Sequence, residues 1–258
     1  MNAPPRRFRI DLAYDGSAFC GWQLQPRGRT VQGVLEQALT RLQGGSPVRV
    51  RGAGRTDSGV HARQQVADAL LATSLDEPEL EHALRSMLPE DLRPSRVRLV
   101  ADSFDSRRDA RSKTYRYRLD RSRPGNPFLA RYALHHPGNL DPGAMREALE
   151  RLPGKRDWSG FAGSACEVRD RVRELSEAAY EEGGEAEGWF SFTADGFLTH
   201  MVRNLVGTLL EVGRGRFEPR RIDRILAERD RSLAGPTAAA RGLVLWRVVY
   251  PGDERGNV

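Results

Sequence analysis

The sequence predicts an α+β fold, made of two ferredoxin-like βαββαβ units whose strands join in an extended, mostly antiparallel sheet with a central cleft. Three observations lead there: strands that alternate apolar and polar residues, helices with apolar residues at helical spacing, and one element order repeated in both halves.

Phe8, Ile10 and Leu12 alternate with Arg9 and Asp11, the pattern of a half-buried strand, and Asp15-Gly16 ends it. Thr30 can cap a helix with Val31, Val34, Leu35, Ala38, Leu39 and Leu42 on one side, closed by Gly44-Gly45. Val48 and Val50 form a second strand that stops at Gly52-Ala53-Gly54, and residues 60–70 form a third. Leu80, Ala83, Leu84, Met87 and Leu88 mark a helix ending before Pro89, and Val97 and Leu99 begin a fourth strand.

The second half repeats the order. Tyr115, Tyr117 and Leu119 alternate with arginines, and Asp141 caps a helix that has Pro142 at its first position. Strands follow near 171–181 and 188–194. An apolar helix spans about Phe197 to Val212, a shorter one carries Ile222, Ile225 and Leu226, and Leu243 to Tyr250 is the last strand. Phe104 to Thr114, polar and rich in arginine, reads as the linker. The predicted domains are 1–106 and 107–258, with loops of both meeting in the cleft.

Composition narrows the function classes. The 258 residues carry a formal charge of +6, and of 41 basic residues only Lys113 and Lys155 are lysine. Arginine binds phosphate through a planar fork and stacks on bases, so RNA is the leading partner, although a GC-rich genome would also favour arginine. The sequence has no apolar run of about 18 residues to span a membrane. The Pro4-Pro5-Arg6-Arg7 start is not followed by the apolar stretch of a signal peptide. Cys20 and Cys166 make neither a disulfide framework nor a metal cluster. A cytoplasmic protein without a metal is expected.

Asp57 sits in a Gly-rich loop after a strand. Taken alone, such an aspartate most often closes a turn or caps a helix. The Gly52-Ala53-Gly54-Arg55-Thr56 run could cradle a phosphate, but it lacks the Gly-Lys-Ser/Thr ending of a P-loop. Arg203 lies off the apolar stripe of its helix, as a solvated arginine would. Gly207, one turn later on the same side, signals a close approach. Tyr115 and Tyr117 fit either strand packing or an RNA-binding surface with Lys113, Arg116 and Arg118 between them.

Longer strings decide between these readings. Gly54 to Ala62 (GRTDSGVHA) closely resembles the signature of the tRNA pseudouridine synthase A family. Tyr14-Asp15-Gly16, Phe19, Gly21-Trp22-Gln23, Gln25 and Thr30-Val31-Gln32 follow that family's order and spacing. Arg111–Tyr117, Phe197–Gly215 and Gly235–Leu245 resemble its later motifs. The resemblance spans about residues 8–250.

It implies an isomerase that converts uridine to pseudouridine at positions 38, 39 and 40 of the tRNA anticodon stem-loop, working as a homodimer without a cofactor. By resemblance Asp57 is the catalytic carboxylate and Arg203 the cation that keeps it ionised. Tyr115 stacks on the target base, Arg55 helps extrude it, and Leu243 forms an apolar floor. Three other readings are a catalytically silent RNA-binding protein on the same fold, a nucleotide-binding or hydrolytic protein that uses the Gly-rich loop, and the same chemistry on a different tRNA or RNA site. The chain departs from the family pattern at Ala239, where proline is usual between two alanines, which suggests a looser loop. Asp105-Ser106 replaces His-Ala, and Leu134 stands where Trp is common.

Overall fold

The computed structural model describes residues 4–184 and 186–253. The chain divides into two compact units, Met1–Arg111 with Leu245–Val258, and Ser112–Val244. Both mix helices with mostly antiparallel strands, as the sequence predicts.

In the first unit the order is β1 (Arg6–Tyr14), α1 (Val31–Leu42), β2 (Val50–Gly52), β3 (His61–Leu71), α2 (Glu77–Met87) and β4 (Leu92–Leu99). β1 lies between β4 and β3, and β2 pairs with β3. Thr30 caps α1, accepting from the Gly33 amide at 3.2 Å. α2 starts with a capping box in which Asp76 and Glu79 each accept the other's amide hydrogen. Phe8, Ile10 and Leu12 stand opposite Ala69, Ala67 and Gln65. They are buried, as are Leu35 and Leu39 of α1 and Leu80 and Leu84 of α2. Burying each large side chain contributes about 1.5–3 kcal/mol, so this layer holds the helices to the sheet.

The other face of β1 is ionic. Asp68 of β3 is fully buried there, and its carboxylate accepts from Arg7 (2.7 Å), Arg51 (2.6 Å) and the Ser106 amide (2.9 Å). Two bulges shape this face. Leu12 pairs with Gln65 but Tyr14 with Ala62, so β3 holds one extra residue. Asp11 pairs with Arg96 but Leu12 with Pro94, so β4 holds one too. A bulge turns two neighbouring residues toward one side, here Arg63 with Gln64 and Ser95 with Arg96.

The second unit comprises β5 (Ser112–Asp120), β6 (Leu134–His135), α3 (Pro142–Glu150), β7 (Gly154–Asp157), β8 (Val172–Gly183), β9 (Glu187–Ala194), α4 (Met201–Gly213) and α5 (Arg221–Glu228). Its strands run in the order β5-β9-β8-β7, with β6 parallel to β5. Tyr115 and Tyr117 stand opposite Phe192 and Phe190. Leu205, Val206 and Leu209 of α4 are fully buried. The last strand, β10 (Leu243–Val249), passes into the first unit from Leu245 and lies beside β3.

The structure corrects several sequence expectations. β4 begins at Leu92 rather than Val97, because ladder pairing continues through Pro94. α4 begins at Met201 rather than near Phe197, because His200 takes the left-handed conformation (φ 60°) and ends any continuous helix there. The sequence pattern signals neither β6 nor β7. The 104–114 segment is anchored rather than slack: Ser106 is fully buried, and Asp105 accepts from Arg51 at 2.8 Å.

Candidate active site

Asp57 lies between β2 and β3, where residues 53–60 have no strand ladder of their own, so their peptide groups bond to neighbours. The Ala53 amide donates to Val66 O (2.8 Å), and Gln65 Nε2 donates to Gly54 O (2.9 Å). The Trp22 amide donates to Thr56 O (3.0 Å), and Ser58 Oγ donates to Phe19 O (3.2 Å). A turn closes from the Val60 amide to Asp57 O (3.1 Å), with Gly59 at φ 78°.

Below the loop, Tyr14 and Thr56 share a hydroxyl hydrogen bond of 2.8 Å, and Gln65 reaches the Tyr14 oxygen at 3.4 Å. Burial pushes the Tyr14 hydroxyl up to about 12, outweighing these bonds, so it stays protonated at neutral pH and acts as a support. Gly21, at φ 89°, is the close approach: a Cβ there would lie 2.7 Å from Thr56 O. The loop therefore holds Asp57 half-buried, with Arg55 exposed two residues away.

In the second unit Tyr115 is buried on β5, edge-on to Phe197 at 5.1 Å. Arg203, half-buried in the first turn of α4, donates from Nε to Ala238 O (2.8 Å) and accepts the Ala238 amide at its own carbonyl (3.1 Å). Gly207 has no room for a methyl group, since a Cβ there would lie 1.6 Å from Pro236 O. Tyr117 donates its hydroxyl to Ala239 O (2.8 Å), and its ring covers Gly242. Residues 235–242 are thus clasped by α4 and β5, and they deliver Leu243 into a buried position.

The expected looseness at Ala239 is not found. Its φ of −58° and ψ of 144° are values that proline would also adopt. The unit thus brings Arg203 and the Leu243 loop together, and the first unit does the same for Asp57 and Arg55. Among the described residues no three His, Cys, Asp or Glu side chains gather as a metal site would require.

A family model described as tRNA pseudouridine synthase matches residues 12–107 and 148–251. The chain belongs to the tRNA pseudouridine synthase family. Among its relatives, tRNA pseudouridine synthase A of Streptococcus pneumoniae (strain 70585) is 45% identical over 246 residues, covering 95% of this chain and 98% of that protein. Its counterpart in Streptococcus sanguinis (strain SK36) is 44% identical over 245 residues, with the same coverages. Asp57, Arg55, Arg203 and Leu243 fall inside the two matched segments of the synthase model, whereas Tyr115 falls between them.

Sequence reasoning picked out Tyr14, Phe19, Gly21, Trp22 and Thr56 only as motif residues, without their role as supports, and it missed Gln65. Gln65 carried a readable signal: it is a polar residue in the apolar phase of β3, in line with Ala67 and Ala69. Two substitutions test the supports. Gly21→Ala should push the Thr56–Asp57 peptide aside and, with the catalytic role proposed below for Asp57, lower kcat about 100-fold in a folded protein, because displacing a reacting group by about 1 Å costs that much; steady-state kinetics with a melting curve would check it. Ala239→Pro should be tolerated and raise stability by about 0.4–1 kcal/mol in urea titrations.

Proposed function

We propose that this enzyme isomerises uridine to pseudouridine at positions 38, 39 and 40 of the tRNA anticodon stem-loop, with Asp57 as the catalytic carboxylate. The observation that carries this reading is the rigidly held Asp57 loop within a chain of the tRNA pseudouridine synthase family. In the reaction the bond from N1 to C1′ breaks and the uracil turns over. C5 then joins C1′, giving up its hydrogen, while N1 gains one. Composition is unchanged, so no redox partner or group carrier is consumed and no cofactor is required.

Asp57 serves either as nucleophile toward the ribose or as the base that deprotonates it, and both roles need the ionised form. A cation favours that form, which is the role proposed for Arg203. Tyr115 stacks on the target base and Leu243 forms its apolar floor. Arg55, exposed on the Asp57 loop, helps to hold the nucleotide out of its stack, an extrusion costing a few kcal/mol. In this division residues 1–106 carry the carboxylate and 107–258 complete the site. The cytoplasm is the proposed location, in keeping with two cysteines that form no disulfide.

Incubation with unmodified tRNA followed by chemical mapping of pseudouridine tests the assignment. Product is expected at 38–40 from the wild type and none above background from Asp57→Ala. Tyr115→Ala should weaken tRNA use by about 1–3 kcal/mol, the worth of one stacked base. Product surviving in Asp57→Ala would sink the site assignment, and an inactive wild type would sink the enzyme. The protein is also proposed to act as a homodimer; sedimentation at the mass of one chain would refute that.

A further inference from the structure

A cavity of about 490 Å³ opens within the first unit, on the helix-free face of its sheet. It is lined by five arginines, Arg9, Arg63, Arg96, Arg98 and Arg247. Among the described residues that line it, two carboxylates stand against them, Asp11 and Asp253. Both are engaged by the buried Arg9, which bonds Asp11 at 2.7 Å and Asp253 at 3.1 Å and lies over the Tyr250 ring at 4.4 Å. Arg98 reaches the same carboxylates only at longer range, 3.4 Å and 3.7 Å. Burial and the charges of Arg9 and Arg96 lower its affinity for a proton, the mark of a cluster short of negative charge.

The cavity is built by the bulges described above. A regular ladder would send Arg63 and Gln64 to opposite faces, and likewise Ser95 and Arg96; the bulges bring all four to this one. Arg63 also lies over the Trp246 ring at 4.4 Å, placing an aromatic surface beside the cations. Gln65, the next residue after Gln64, points away from the cavity and bonds Gly54 O of the Asp57 loop. The cavity extends to β4, the free edge of this unit's sheet.

We propose that this cavity binds the phosphodiester backbone of the RNA substrate at a segment outside the anticodon stem-loop. The excess of guanidinium groups fits a polyanion, and Gln64, Ser95 and Trp246 add hydrogen-bonding groups and a stacking surface. The edge position of β4 gives a strand a path between the two faces. This inference rests on the proposed tRNA substrate.

The test is equilibrium binding, which does not depend on turnover and so separates this inference from the isomerase assignment. Affinity for an unmodified tRNA transcript and for its isolated anticodon stem-loop would be measured against salt. The Arg96→Ala/Arg98→Ala double variant should lower tRNA affinity about tenfold or more. It should also flatten the salt slope by about 2, one per phosphate contact, and leave stem-loop binding unchanged. Arg96→Lys/Arg98→Lys should restore the slope, and Arg96→Ala alone should remove about half of the effect in a protein with an unaltered melting curve. Wild-type slope and affinity in the alanine variant would overturn the proposal, as would equal losses with the stem-loop alone. A changed sedimentation coefficient without RNA, accompanied by an unchanged salt slope, would instead give this face to a second copy of the chain.

Discussion

The hydrogen bond from Gln65 to the Gly54 carbonyl, with the Tyr14–Thr56 pair beside it, determines where Asp57 can be. A loop without a ladder leaves each peptide group in need of a partner, and unpaired buried groups cost about 1–3 kcal/mol each. Here the partners are supplied by β1, β3 and the segment around Trp22, so the loop takes its rigidity from the sheet. Removing any one of them leaves a buried group unsatisfied and also relaxes the carboxylate. With the catalytic role proposed for Asp57, stability and catalysis are therefore coupled in this loop.

The second unit solves the same problem differently. Residues 235–242 also lack a ladder, and they are fixed by steric closeness as much as by hydrogen bonds. The missing side chain of Gly207 lets Pro236 lie against α4, while the missing side chain of Gly242 lets the chain pass under the Tyr117 ring. Burial drives the Tyr117 hydroxyl well above the usual range for tyrosine, so it remains a donor to Ala239 O. Arg203 closes the arrangement by bonding Ala238 through both side chain and backbone.

Much of this was legible in the sequence. The alternation in Phe8–Leu12 and Tyr115–Leu119 located strands, and Thr30 and Asp141 located helix starts, because these signals are local. Gly207 pointed to a close approach, and the structure supplies its partner in Pro236. Other features had no local signal. β6 and β7 are too short to show a period and exist through pairing with β5 and β8. The start of α4 is set by the left-handed backbone of His200, a residue type that does not announce such a conformation. Ser106 looked like part of a polar linker, yet it is buried because Asp68, far away in sequence, needs its amide. The arginine-rich cavity was invisible as well, since it depends on two bulges that shift the alternation of β3 and β4.

Those bulges have a consequence for how the chain can vary in length. In β3 the residues before the bulge, His61 and Ala62, and those after it, from Gln65 on, keep their separate duties only because one extra residue lies between them. Deleting that residue would make the ladder more regular, yet it would take a cation or an amide from the outer face. An added residue would put Ala62 and Gln65 out of phase. A single-codon insertion or deletion between 61 and 65 thus reaches the Asp57 loop as well as the arginine-lined face. Lineages of this gene should hold the number of residues across that stretch constant.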